Sequence, residues 1–542
     1  MELQKLYFSA PTPDAPYYFV KAALTGAPDV ELEVAEVRVN GVRSRDFSVA
    51  NDGAKAVPAV WREGAAQRHL YLRLDWQKGD EFDIELDLKA PGAAAPETLC
   101  ARFVADGEHG YWNKAWKYYA SHVLKETSGR ARVQEPVHLV LGLYMDRLTD
   151  PEAELRVVEI DPATGAAAEV RSQVYSSSSW DKWQNINCQP TTTVQIAFLA
   201  DVPANTSKVF LIFYGNPGAQ KPNYPTDLKL SGEGYGLSIE NAYYTVNLHK
   251  ESGSIDEILP KSRPGLVYCH HLETNGALQW NPGIYAPPKT WMHASDWVYP
   301  ANFKVIAGPI FVMVKRFDPI VDYEEVECSI TYTFYSGNPG VTVESNIDVT
   351  RDLDVVALRN GSVVLNKETT GDFVWQDVDH TVKNVHITDL PRHPVKGMVF
   401  DARTPWFAFY NRTEGNALGV LNLEFGGVRR EGGLIEAEPY YYLHWGPWFY
   451  VSRPIIYTFT SNNPQRVMHM TAGTSFFEKY QLYPFEVGRG EAEYDDFTPL
   501  ADAWALAAEP LSKTAAKFDT DARVPDEWVP PILVSHFEEL VD

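Results

Sequence analysis

The sequence predicts an all-β protein: two N-terminal β-sandwich-like units, then a larger antiparallel β region, with few helices. Three observations carry this. Short runs of alternating apolar and polar residues recur along the chain, separated by clusters of Gly, Pro, Asn and Asp. Half-buried strands joined by tight turns leave that pattern. Helical periodicity is scarce. Aromatic residues (15 Trp, 29 Tyr and 25 Phe) make up 13% of the 542 residues, an excess that pleated surfaces accommodate. It also suits a sugar-binding cleft, where the C–H faces of pyranose rings stack on aromatic rings.

Composition removes several classes of function. At 45% apolar and 22% charged residues, the chain is too apolar to be largely disordered. It has no uncharged apolar run of about 18 residues, so no membrane-spanning helix is expected. With 48 Lys and Arg against 72 Asp and Glu, the net charge is −24. That charge favours solubility and disfavours nucleic acid as a partner, because phosphate neutralisation needs a basic surface. Phosphate-loop, dinucleotide, HExxH and GxSxG motifs are absent, which argues against nucleotide-driven, zincin and α/β-hydrolase chemistry.

The first β unit spans residues 1–105. Leu32 to Val42 alternates as LEVAEVRVNGV, with Asn40-Gly41 as a hairpin turn. HLYLRL (69–74) and EFDIELDL (81–88) alternate as well. The beginning, MELQKLYFSAPTPDAPYYF, lacks a basic stretch followed by an apolar one. A cytoplasmic protein, or a secreted or periplasmic one without its leader, is the expectation. Cys100, Cys188, Cys269 and Cys328 are widely spaced with no CxxC, so free, mostly buried thiols are expected.

Residues 106–228 read as a helix plus a second β unit. In HGYWNKAWKYYASHVLKE (109–126), Trp112, Trp116, Tyr119 and Val123 recur at helical spacing and predict a helix packed between two sheets. Strand-like segments follow: VHLVLGLYM, LRVVEID, VQIAFLADVP and VFLIFYGNP. The Gly-, Pro- and Asn-rich stretch GNPGAQKPNYPTDLKLSGEG then predicts a domain boundary. A long all-β region, 235–500, comes next, with a helix-compatible LADAWALAAEPL near 500–511. Residues 501–542 are expected to form a C-terminal tail whose Pro- and acid-rich end wraps the surface.

The region 235–500 opens with LSIENAYYTVNLHKESGSIDEI. Ile239, Asn241, Tyr243, Val246, Ser252, Gly253 and Ile255 follow an "element, Asn, aromatic, alternating strand, Ser-Gly, Ile, strand" pattern. In this the chain resembles the galactose-mutarotase-like β-supersandwich domain of carbohydrate-active enzymes, among them polysaccharide lyases and some glycoside hydrolases. The motif covers about 20 residues, and length and β content extend the similarity over 235–500. The resemblance implies an antiparallel supersandwich that acts as the catalytic domain on an oligo- or polysaccharide. Activity still has to be argued from a site.

Four segments hold candidate site residues. In EAEPYYYLHWGPW (436–448), alternation puts Glu436, Glu438, Tyr440, Tyr442 and His444 on one face. The other face carries Ala437, Pro439, Tyr441, Leu443 and Trp445 and suits a core. The first set is a stripe that a concave sheet would display to substrate, although a solvated outer face would carry it as well; Trp448 lies just beyond. In YCHHLETNGALQW (268–280), His271, Glu273 and Asn275 share a face, and His271 is better placed than His270 for proton transfer. NPGIYAPPKTWMHASDWVYP (281–300) has aromatics without periodicity and reads as a long loop. Trp291, His293, Trp297 and Tyr299 could form a stacking lid there, or pack on the sheet. In DVVALRNG (354–361), the Arg359 guanidinium could clamp a uronate carboxylate, with Asn360 beside it; a structural ion pair is the alternative. Asp377, Asp379, His380, His386 and His393 match no metal motif. No cofactor is required by these readings, and a structural divalent metal stays open.

The expected function is a polysaccharide lyase cleaving a uronate-containing glycan by β-elimination. His271, Tyr442 and His444 supply the proton transfers and Arg359 with Asn360 neutralises the carboxylate. Glu273, Trp291, His293, Trp297, Tyr299, Glu438, Tyr440 and Trp448 would bind substrate. One alternative is a glycoside hydrolase with carboxylates drawn from Glu436, Glu438, Glu273 and Asp377. A second is a non-catalytic carbohydrate-binding protein. The aromatic surplus concentrates at 280–299 and 440–450, which predicts that these two segments line one cleft.

Overall fold

The computed structural model describes residues 1–56, 58–181, 190–268, 283–297, 302–366, 369–390, 398–429, 434–435, 440–445, 449–457, 467–490 and 494–516; at some positions, 440–445 among them, only the backbone is described. The protein is all-β with few helices. Its strands pair antiparallel throughout, and Thr498–Ala508 is the one helix longer than a single turn among the described residues. The chain divides into two compact units, Met1–Tyr224 with the segment from Leu511, and Pro225–Pro510. The division falls inside the Gly-, Pro- and Asn-rich stretch.

In the first unit, two sheets enclose a core of Val20, Ala22, Val34, Val37, Leu70 and Leu86. One runs in the order Glu2–Ser9, Phe19–Thr25, Arg68–Arg73, Phe47–Asn51, Ala54–Ala56. The other is built on Leu32–Val39 between Glu81–Lys89 and Val42–Ser44. Asn40 and Gly41, both at positive φ (50° and 77°), close the Val39–Val42 turn as a primed hairpin turn requires.

A further sheet runs Ala167–Val170, Arg156–Ile160, Ser207–Tyr214, Tyr118–Lys125, Ser512–Ala516. Its Ser207–Tyr214 strand is buried on both faces. Val209, Leu211 and Phe213 join the first core, while Phe210, Ile212 and Tyr214 join a second with Leu139, Leu141, Val194 and Ile196. That is why VFLIFY is apolar without alternation. The two β units predicted on either side of residue 105 therefore share a core, and both fall within the compact unit Met1–Tyr224.

Two further expectations need correction. Residues 118–125 form a strand, not the second half of a helix. Trp116 closes a turn on Asn113, and its ring packs 5.1 Å from that of Trp112. The following strand buries residues of both parities, Tyr119 and Ser121 as well as His122 and Leu124, so its apolar spacing imitates a helix. The segment from Leu511 is not a loose tail as far as it is described, because Ser512–Ala516 pairs with Tyr118–Lys125.

The second unit opens with the strands Gly236–Glu240, Tyr244–Leu248 and Ile255–Pro260. Asn241 is fully buried between the first two. Its Nδ2 donates to the Tyr335 and Asn338 carbonyls (3.1 and 2.8 Å), and its Oδ1 accepts from the Tyr243 and Tyr244 amides (2.9 and 3.1 Å). The Ser252-Gly253 turn receives the buried Arg316 guanidinium, which donates to the Ser252 carbonyl at 2.7 Å. The motif residues are thus structural anchors.

A six-stranded sheet and a ten-stranded sheet then share one core, with Leu358, Val363, Phe449 and Val451 from the first and Val343, Ile347, Phe409 and Leu418 from the second. An ion pair crosses this core: Arg453 Nε donates to Glu478 Oε1 at 2.7 Å, both side chains 2% exposed. On the opposite face of the ten-stranded sheet, Thr498–Ala508 packs Leu500 against Gly419, where a Cβ would lie 2.3 Å from Leu500 Cδ1. Trp504 Nε1 fastens the helix to the Asn422 carbonyl at 2.6 Å.

Candidate functional site

The six-stranded sheet runs Met292–His293, Gly283–Tyr285, Ala357–Leu365, Phe449–Tyr457, Tyr440–Trp445, Met398–Asp401. Register aligns His293, Gly283, Arg359 and Pro454 in one row. Arg453 points into the core, so its neighbours at 452 and 454 occupy the opposite face. That face therefore carries Arg359 and, one row on, Ser362 opposite Ser452.

A bulge brings this about. Pairing shifts at Leu358/Arg359, leaving Ile455 as the extra residue on the partner strand, and again at Arg359/Gly361, leaving Asn360 as the extra residue on this one. Asn360 is fully buried and accepts from Ser345 Oγ at 2.9 Å. It faces the core, and its Nδ2 has no hydrogen-bond partner among the described residues. Asn360 is therefore removed from the carboxylate-neutralising pair, because it cannot reach a ligand beside Arg359. Bulges commonly redirect a neighbouring side chain in this way.

On the outer face the Arg359 guanidinium is half-buried. It lies 4.9 Å from the Trp291 ring centroid, and Nη2 donates to His293 Nε2 at 2.9 Å. Trp291 Nε1 donates to the same nitrogen at 2.8 Å. A nitrogen receiving two N–H donors carries no proton, so the imidazole proton sits on Nδ1, 3.2 Å from Asp296 Oδ2. Burial holds the His293 pKa below its ordinary value; Arg359 acts in the same direction and Asp296 opposes both. The result is a neutral imidazole that fixes a cation in place.

Local sequence explains the arrangement. Asp296 stands three residues after His293 and accepts from its backbone amide at 2.6 Å, the reach-back half of a capping box around the Ala294–Asp296 turn. Gly283 lies beneath the rings. A Cβ there would be 2.9 Å from His293 Cδ2 and 3.2 Å from Trp291 Nε1. Tyr285 stacks on Trp291 with centroids 5.9 Å apart and planes at 17°. The preceding loop is pinned where Tyr323 donates to the Thr290 carbonyl at 2.6 Å and Lys289 pairs with Glu325 at 2.8 Å.

Trp297 does not belong to an aromatic lid. It is 3% exposed, donates to the Pro319 carbonyl at 2.9 Å, and has the Arg316 guanidinium 5.3 Å from its ring. Tyr442 and His444 pair in register with Ser452 and Tyr450, whereas Leu443 and Trp445 pair with the core residues Val451 and Phe449. Tyr440 pairs with Asp401. Segments 283–293 and 440–445 thus belong to one sheet, with the Arg359 and Phe449 strands between them.

His270, His271, Glu273, Tyr299, His393, Glu436, Glu438 and Trp448 lie outside the described residues. Elsewhere, Asp377 forms an ion pair with Lys383, Asp379 caps Thr381, and His386 bonds to Asp372 at 2.7 Å. His380 occupies a positive-φ turn position. No cluster of three or more His, Cys, Asp or Glu side chains able to hold a metal occurs among the described residues. Gly283 and Tyr285 carry no local sequence signal of this role, whereas the His-x-x-Asp spacing is a signal for Asp296.

No protein-family model and no curated protein sequence matches the chain. Solved structures similar to it include an alpha-mannosidase from Enterococcus faecalis V583, 12% identical, with a TM-score of 0.46 over 75% of this chain and 47% of that one. A galactose mutarotase related enzyme from Lactobacillus acidophilus is 9% identical, with a TM-score of 0.29 over 47% of this chain and 99% of that one. The chain spans about half the length of the mannosidase.

Proposed function

We propose that the protein is a carbohydrate-active enzyme that cleaves a uronate-containing glycan by β-elimination, with Arg359 as the carboxylate-binding group. The observation that carries this is the fixed cation. Arg359 is held by a neutral histidine, stacked on Trp291 and half-buried on a sheet face beside a second aromatic ring. A guanidinium matches a carboxylate in two parallel hydrogen bonds, and stacked aromatics accept the C–H face of a sugar.

The chemistry follows from that placement. Arg359 neutralises the uronate carboxylate, which acidifies the adjacent C5–H. A base removes that proton, its electron pair forms the C4–C5 double bond, and the C4–O glycosidic bond breaks. An acid then protonates the departing oxygen. Tyr442 and His444 are assigned these transfers. Their strand lies two strand spacings from Arg359; with the offset along the strand, Tyr442 stands roughly 12 Å from Arg359 between Cα atoms and His444 roughly 17 Å, so Tyr442 is the nearer of the two to the carboxylate-bearing ring. His271 remains a third proton-transfer candidate. His293, with its acceptor nitrogen already engaged, is a positioning residue.

Incubation with a panel of uronate polysaccharides tests the proposal. An ultraviolet-absorbing unsaturated product is expected, and Arg359→Ala should lose it. New reducing ends without that absorbance would mean hydrolysis and would overturn the elimination.

A further inference from the structure

One face of the first unit brings aromatic rings and cations together. In the sheet that contains Glu2–Ser9, Phe19–Thr25 and Arg68–Arg73, one face is the core. Across the other, register aligns Tyr7, Lys21 and Tyr71 in one row and Ser9, Phe19 and Arg73 in the next. Tyr7 is 46% exposed, and Lys21 and Tyr71 are half-buried. Phe19 braces both tyrosines, its ring 6.3 Å from that of Tyr7 and 6.0 Å from that of Tyr71.

Lys21 Nζ stands between them, 5.9 Å from the Tyr7 centroid and 5.3 Å from that of Tyr71. Among the described residues no carboxylate pairs with it, in a chain where Asp and Glu outnumber Lys and Arg by 72 to 48. One row on, the Arg73 guanidinium lies 4.8 Å from the Tyr119 centroid, and its Nε is 3.9 Å from Asp75.

We infer that this face binds a segment of an acidic oligosaccharide, with pyranose rings on Tyr7 and Tyr71 and a uronate carboxylate on Lys21. Tyr7 and Tyr71 are two strand spacings apart, roughly 10 Å, which leaves room for two successive sugar rings. Single-stranded nucleic acid also stacks on aromatics beside cations; like a uronate polymer it is a polyanion, so the net charge does not separate the two and the binding test does. The choice of a uronate rests on the reading of Arg359 given above; the face itself does not.

The test is affinity electrophoresis of the full chain through gels containing polygalacturonate, alginate or a neutral glucan, with a single-stranded oligothymidylate run alongside. The wild type should be retarded by a uronate polymer and not by the glucan. Tyr7→Ala with Lys21→Gln should weaken that binding at least tenfold, with unsaturated-product formation from short oligouronates unchanged; Lys21→Arg should restore most of it. Arg359→Ala should do the reverse, losing turnover and keeping retardation. Undiminished retardation of the Tyr7/Lys21 variant, equal retardation by glucan, tighter binding of the oligothymidylate, or no retardation of the wild type would each overturn the inference. If the wild type makes no unsaturated product, yet its retardation is abolished by the Tyr7/Lys21 substitutions, only the Arg359 reading falls.

Discussion

Gly283→Ala is the sharpest probe of the Arg359 cluster, because it adds one methyl group at its centre and removes nothing. The backbone at Gly283 has an ordinary φ, so the substitution carries no conformational strain. The new Cβ would sit 2.9 Å from His293 Cδ2 and 3.2 Å from Trp291 Nε1, where ordinary contact begins at 3.4 Å. The imidazole must therefore retreat by about half an ångström, away from a 2.9 Å bond to Arg359. Overpacking of this kind costs about 1–3 kcal/mol. The weakened charged hydrogen bond is worth about 1.5–3 kcal/mol, so kcat/KM on a uronate substrate should fall roughly ten- to a hundredfold. Urea unfolding and a steady-state assay on the same preparation separate the two effects. Gly283→Ala with wild-type stability and wild-type kcat/KM would show that the ring positions do not matter and would sink the argument for a pre-set cation.

Other perturbations test other parts. Glu478→Gln leaves the Arg453 guanidinium in the core without its countercharge and should cost about 3–5 kcal/mol in urea unfolding; a loss under 1 kcal/mol would contradict this. Asn241→Ala removes four hydrogen bonds from a fully buried site and should cost about 2–4 kcal/mol, read from the shift in unfolding midpoint. His293 has a native pKa below its unfolded value of about 6.5. Between the two values the unfolded chain binds the extra proton, so stability falls as pH drops below about 6.5. Turnover should fall on the same acid side, because a protonated Nε2 cannot accept from Arg359. His293→Asn should remove that share of the slope, and an unchanged pH profile would count against the assignment.

Much of the fold was legible because its strands are buried on one face, which writes alternation into the sequence. Asn40-Gly41 and the Gly/Pro stretch before residue 235 are local signals and needed no tertiary knowledge. What was misread lies where a strand is covered on both sides. The Tyr118–Lys125 strand lost its alternation to two cores and so resembled a helix. Asn360 and Arg359 are adjacent in sequence, and strand alternation alone puts them on opposite faces; which of the two faces the core is set by a bulge, and nothing local announces a bulge. Trp297 and Trp291 likewise look equivalent in sequence; the Ala294–Asp296 turn between them sends one inward. The His-x-x-Asp spacing that holds His293 is a local signal written in the sequence.

The pairing of Ser512–Ala516 with Tyr118–Lys125 has a consequence for biosynthesis. Of the described strands in that sheet, this one is made last, after the whole of Pro225–Pro510 has been synthesised. At about 5–20 residues per second, that interval lasts roughly 15–60 s. Until it ends, the Tyr118–Lys125 strand is a bare edge, its backbone donors and acceptors open to any neighbouring chain. A nascent chain stalled or cleaved before residue 511 keeps that edge permanently. Such fragments should be the species that aggregate, and a chaperone that shields extended strands should engage the first unit for the length of that delay.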